Sequence, residues 1–163
     1  MIVTLYLIIV SGLLAILYGY FVGKQILSAS PGNNKMKEIA SAIQEGARAY
    51  LNRQYKTITI VGIIILFIIT YTLGFWVGLG YFIGAFLSGT VGYVGMLVSV
   101  QANVRTAEAS RKGLSAGLNI SFKSGAVTGM LVAGLALLSI TVYYLILLKL
   151  NIENRIIINA LVG

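Results

Sequence analysis

Four apolar stretches, residues 1–22, 58–74, 81–103 and 124–148, contain no Lys, Arg, Asp, Glu or His. The first would be about 33 Å long as a helix, enough to cross the ~30 Å hydrocarbon layer of a bilayer. Composition agrees: 58% of the 163 residues are hydrophobic and only 10% are charged, whereas a soluble domain carries about 25% charged residues. A cleaved signal peptide is the competing reading of residues 1–22. It fails because no positive charge precedes the apolar run, and the run is longer than such signals use. Ser28-Ala29-Ser30 has the small residues of a cleavage site, but Pro31 follows directly. The first stretch is therefore expected to stay as a span.

The expected fold class is all-α integral membrane: four transmembrane helices plus an amphipathic helix in the first connector. That helix is read from Met36, Ile39, Ala40, Ile43, Ala47, Tyr50 and Leu51, which recur at three-and-four spacing. Lys35, Lys37, Glu38, Glu45, Arg48, Asn52 and Arg53 fill the other face, as in a helix lying at a membrane surface. Gly74, Gly78 and Gly80, among Tyr71, Phe75, Trp76, Tyr81 and Phe82, are expected to form a turn at an interface, where aromatic residues gather. Residues 151–163 read as the start of a fifth span. The chain is one membrane domain with connectors at residues 23–57 and 104–123. Ten of the twelve Lys and Arg lie in these connectors, leaving Lys149 and Arg155 opposite. Short basic loops stay in the cytoplasm, so the expected topology is a multi-pass protein of the cell membrane with its N-terminus outside.

Small residues mark faces for close packing. Gly80, Gly84, Ser88 and Gly92 fall at four-residue steps, continued by Gly95 and Ser99; Gly125, Gly129 and Ala133 repeat the device. Such stripes let helix backbones approach one another. A phosphate-cradling loop is the sharper alternative, but neither the P-loop nor the dinucleotide pattern is present.

Several function classes are excluded on composition. There is no Cys, His or Asp. The four acids, Glu38, Glu45, Glu108 and Glu153, are scattered over three polar segments, whereas hard-cation sites need converging oxygens. The net charge of +8 is divided between connectors and does not form one basic face, so nucleic acid is not an expected partner. An ion relay normally needs an ionisable residue deep in a span; none is present.

Three blocks carry a family resemblance. The first is residues 43–57, Ile-Gln-Glu-Gly-Ala-Arg-Ala-Tyr-Leu-Asn-Arg-Gln-Tyr-Lys-Thr. The second is residues 92–107, beginning Gly-Tyr-Val-Gly-Met-Leu-Val-Ser-Val-Gln-Ala-Asn, and the third is residues 121–130, Ser-Phe-Lys-Ser-Gly-Ala-Val-Thr-Gly-Met. In this order the blocks resemble consecutive segments of the membrane-bound, ion-translocating inorganic pyrophosphatases. The resemblance implies a sixteen-helix bundle, a homodimer, and pyrophosphate hydrolysis at a cytoplasmic-facing site that drives proton or sodium export. It also implies magnesium as cofactor, with potassium a further candidate. The chain looks like the N-terminal quarter of such a pump, supplying outer-ring helices. Its partners are then membrane lipid and the remaining helices of the same pump. The family's catalytic, substrate-binding and metal-binding residues have no counterpart here.

The residues singled out are therefore helix-packing candidates, Gly84, Ser88, Gly92, Gly95, Gly125 and Gly129, and polar candidates at the cytoplasmic surface, Glu45, Arg48, Asn103 and Arg105. Glu45 and Arg48 are spaced to pair along one helix. The polar group could brace the catalytic site from outside; a hydrated interface of snorkelling side chains is the favoured reading. The alternatives from other classes are a stand-alone four-span scaffold or assembly protein and, disfavoured for want of buried ionisable groups, a small transporter subunit.

Overall fold

The computed structural model describes residues 2–162, in five helices: α1 (Ile2–Ser28), α2 (Asn34–Leu73), α3 (Phe75–Ser110), α4 (Leu114–Lys149) and α5 (Asn154–Val162). Four are long and apolar enough to cross a membrane, as the apolar runs require. The outermost residues of the expected first and fifth spans, Met1 and Gly163, lie outside the described residues.

The helices outrun the apolar stretches. At 1.5 Å per residue, the 40 residues of α2 make a rod of about 60 Å, twice the thickness of the hydrocarbon layer. The expected surface helix is not a separate element but the first half of α2. Ala, Glu, Lys, Arg and Gln favour helix, and no proline between Asn34 and Leu73 stops propagation. The connectors shrink accordingly to residues 29–33 and 111–113.

Helix ends lie where the backbone chemistry changes. Asn33 Oδ1 accepts the Met36 N–H at 2.9 Å and caps α2. Gly74, with φ +99°, is the one residue between α2 and α3; a left-handed backbone there suits glycine alone. A Cβ on Gly78 would collide with Thr70, so the hairpin also needs the missing side chain. Gly113 (φ +128°) and Gly117, packed on Ser110, repeat this construction between α3 and α4. The expected aromatic turn at residues 75–80 is thus the first turn of α3. Asn151 (φ 53°) ends α4: its N–H reaches Leu148 O at 3.0 Å and the Ile152 N–H reaches Leu147 O at 3.2 Å. That is the Schellman pattern, and it turns the chain back as α5.

Consecutive long helices run antiparallel, in the spatial order α2–α3–α4–α1, with α5 against α3 and α4. All ten basic residues of the two connectors therefore belong to one end of the bundle. Two buried clusters anchor it: Ile26, Ala102 and Val127 towards the basic end, and Val77, Tyr143, Leu147, Ile157 and Ala160 at the other. Between them α1 meets α4 backbone to backbone. A Cβ on Gly12 would stand 2.8 Å from Leu138 Cγ and 3.0 Å from Gly134 O, and one on Gly134 would stand 2.8 Å from Gly12 O. The outward faces are greasy, with Phe67 71% and Phe86 64% exposed, as lipid-facing surfaces are.

The crossing generates a test. G12L or G134L should cost about 1–3 kcal/mol through overpacking and lower the thermal midpoint of the detergent-solubilised protein. G46A, where a Cβ meets nothing, should leave it unchanged or raise it. Equal midpoints for all three would refute the close crossing.

Candidate functional site

The basic end of the bundle is the most polar part of the structure, and Arg105 is its centre. It sits near the C-terminal end of α3, where α1 finishes beside it. Its guanidinium donates from Nη2 to Leu27 O at 2.8 Å, from Nε to Ala29 O at 3.1 Å and from Nη1 to Gln101 O at 2.7 Å. The last carbonyls of a helix lack intrahelical partners and carry its negative dipole end. A planar cation with several fixed donors suits them better than the flexible point charge of Lys. One side chain thus ties the end of α1 to α3.

Around it the interactions are lighter. Lys123 Nζ donates to Gln25 Oε1 at 3.2 Å, joining α4 to α1. Arg111 pairs with Glu108 at 3.1 Å, the one ion pair among the described residues, and both sit close in sequence on the surface; such pairs contribute little. Glu45 and Arg48 are exposed and not paired with each other. Asn103 is exposed too. Of the four polar candidates, only Arg105 is drawn into contacts between helices. It is half-buried rather than freely hydrated, a difference that arises because α1 ends within its reach.

The packing candidates separate as well. Gly95 is buried, and a Cβ there would lie 2.8 Å from Thr128 Cγ2; Gly92 lies beneath Tyr55, whose hydroxyl would be 2.7 Å from such a Cβ. Gly84, Gly125 and Gly129 meet nothing within 4 Å. Gly84 and Ser88 instead line an open groove of about 440 Å³ between α3, α4 and the end of α5. One seam that brings backbones together, Gly12 and Gly19 of α1 on Gly134 and Leu131 of α4, was not among the candidates. Its signal was present in Gly12, Ala15, Gly19 and Gly23, which recur at three-and-four steps.

This arrangement positions helices. Among the described residues no three His, Cys, Asp or Glu converge.

Comparison with known proteins places these features in a family. The family model described as inorganic H+ pyrophosphatase matches residues 13–163. A K(+)-insensitive pyrophosphate-energized proton pump of Methanosarcina mazei is 46% identical over 138 residues, covering 83% of this chain and 21% of the relative. A putative K(+)-stimulated pyrophosphate-energized sodium pump of Bacteroides thetaiotaomicron is 42% identical over 149 residues, covering 87% and 20%. A K(+)-insensitive pyrophosphate-energized proton pump of Caldanaerobacter subterraneus is 36% identical and covers 95% of this chain. The chain spans about a fifth of the length of these relatives.

The Arg105 fork makes a measurable claim. In the full-length protein, R105Q should destabilise the end of α1 by about 1–3 kcal/mol and speed proteolytic cleavage within residues 29–33. R105K, with fewer donors, should fall between. Cleavage at the unaltered rate in R105Q would contradict the role assigned to the fork.

Proposed function

The chain belongs to the inorganic H+ pyrophosphatase family, and on that premise we propose that it forms the N-terminal portion of a pump that hydrolyses inorganic pyrophosphate and exports protons or sodium ions. The continuous family match over residues 13–163 carries this reading. Relatives of both ion types stand at similar identity, so the pumped ion is assigned only to this pair. The four long helices serve as scaffold at the periphery of a larger bundle. The remaining helices of the pump are the natural occupants of the open Gly84–Ser88 groove, and the whole protein pairs with a second copy of itself.

The basic end of the bundle faces the cytoplasm and the N-terminus faces outward, an orientation supported by ten of twelve Lys and Arg lying at one end. The substrate is a polyanion and would be hydrolysed on that side. Magnesium suits such a reaction, because divalent metals neutralise phosphate charge and orient attacking water. The residues of this chain do not fit a magnesium site: their four carboxylates are scattered over three segments and no three acids converge among the described residues. Magnesium, and potassium where turnover needs it, therefore belong to other helices of the full protein. No step of hydrolysis is assigned to these five helices.

The test uses sealed, inverted membrane vesicles. With the full-length protein, pyrophosphate and magnesium should give phosphate release together with proton or sodium uptake. Vesicles holding only the 163 residues should give neither. A full-length protein unable to hydrolyse pyrophosphate would overturn the pump reading, whereas hydrolysis by the short chain would overturn the placement of the catalytic groups elsewhere.

A further inference from the structure

Between α2 and α3 lies a cleft of about 500 Å³, and its construction is independent of any catalytic role. Two tyrosines hold the helices apart in a reciprocal manner. Tyr55 of α2 rests on Gly89 and Gly92 of α3, while the hydroxyl of Tyr81 of α3 rests over Gly62 of α2. The helices touch through these struts at both ends of the cleft.

The lining is apolar, with Ile58, Ile63, Leu66, Phe82 and Phe86 among its walls. Its two threonines turn their hydrogens inward: Thr59 donates to Tyr55 O and Thr90 to Phe86 O, both at 2.8 Å. No unused donor is thereby offered to a polar ligand from those hydroxyls. From Tyr55 to Leu66 the cleft follows eleven helical steps of α2, about 16 Å. That is roughly half of the ~30 Å hydrocarbon layer, the depth of one leaflet.

The end of the cleft towards the basic half of the bundle has a different chemistry. Tyr55 and Tyr93 meet edge to face at 5.3 Å, and the Tyr93 hydroxyl donates to Asn52 Oδ1 at 3.2 Å. Lys56 follows Tyr55 directly, Arg53 and Arg48 precede it, and all three are exposed. Among the described residues none of them is in an ion pair, and α2 carries no acid after Glu45. A void of lipid-tail depth thus opens beneath uncompensated positive charge.

We propose that this cleft holds an acyl chain of an anionic phospholipid, with its phosphate against Lys56. The hydrocarbon fills an apolar gap that water does not favour, and the basic residues at its mouth select a negative head group. Basic clusters beside a membrane helix attract anionic lipid in this way. The proposal needs only that the chain sits in a bilayer. It stands whether or not the pump assignment does.

Photolabelling decides it. Full-length protein is reconstituted in phosphatidylcholine vesicles containing a phosphatidylglycerol probe with a diazirine on its acyl chain, and adducts are mapped by mass spectrometry. Adducts should concentrate on residues 55–66 and 81–94. Unlabelled phosphatidylglycerol should compete and phosphatidylcholine should not. K56Q should reduce labelling there about fivefold, and G89L, which crowds the Tyr55 strut, should abolish it while labelling elsewhere persists. Should either variant fail to fold, the competition between the two lipids in the unaltered protein still settles the question. Equal labelling by a phosphatidylcholine probe would overturn the anionic selection. No adducts in the cleft would mean that other helices of the protein cover it, and would overturn the proposal outright.

Discussion

Inside hydrocarbon, a helix satisfies its own backbone, and one apolar side chain gains little by leaving lipid for another. What remains to hold helices together is how closely their surfaces fit. In this chain the longest such fit is the crossing of α1 and α4, where Gly12 and Gly134 remove the side chains that would keep the backbones apart. The rest of the arrangement follows from it. With α1 laid along α4, its C-terminal carbonyls arrive beside Arg105 of α3, and Gln25 comes within reach of Lys123. Three helices are thus linked at the basic end, and α2 is attached to them only through the α3 hairpin and its tyrosine struts.

The membrane character, the number of spans and the gathering of basic connectors at one end were all legible in the sequence, because each depends on composition over many residues. Helix ends were less so. Hydropathy reports which solvent a segment prefers, and the polar first half of α2 prefers water while remaining helical. Its true boundaries depend on single residues, Asn33, Gly74 and Gly113, acting through caps and left-handed backbone. The packing faces were half legible. Gly92 and Gly95 do lie in contacts between helices, but Gly84, Gly125 and Gly129 lie open; a small-residue stripe says which face can approach a neighbour, not whether one is present. Arg105 stands out in the sequence only as an interfacial cation. Its partners Leu27 and Ala29, more than seventy residues away in sequence, are set by the fold and leave no local signature.

For function, the division of labour is the main consequence. The proposed part of this chain is a scaffold, and among its described residues no three acids converge as phosphoryl chemistry with divalent metal requires. Its open groove at Gly84 and Ser88 and its greasy outward faces are what a piece of a larger bundle would show, in keeping with relatives five times as long. The fork at Arg105 gives the basic end rigidity at the surface proposed to face the substrate's side.

The central claim is that this bundle crosses the membrane with both basic connectors on the cytoplasmic face. Because the chain has no native cysteine, single variants R48C, R111C and N151C in a cysteine-free full-length background can be labelled with a membrane-impermeant maleimide. The account predicts that the first two react in inverted vesicles and the third only in right-side-out ones. Reaction of R48C and R111C from opposite faces would contradict it.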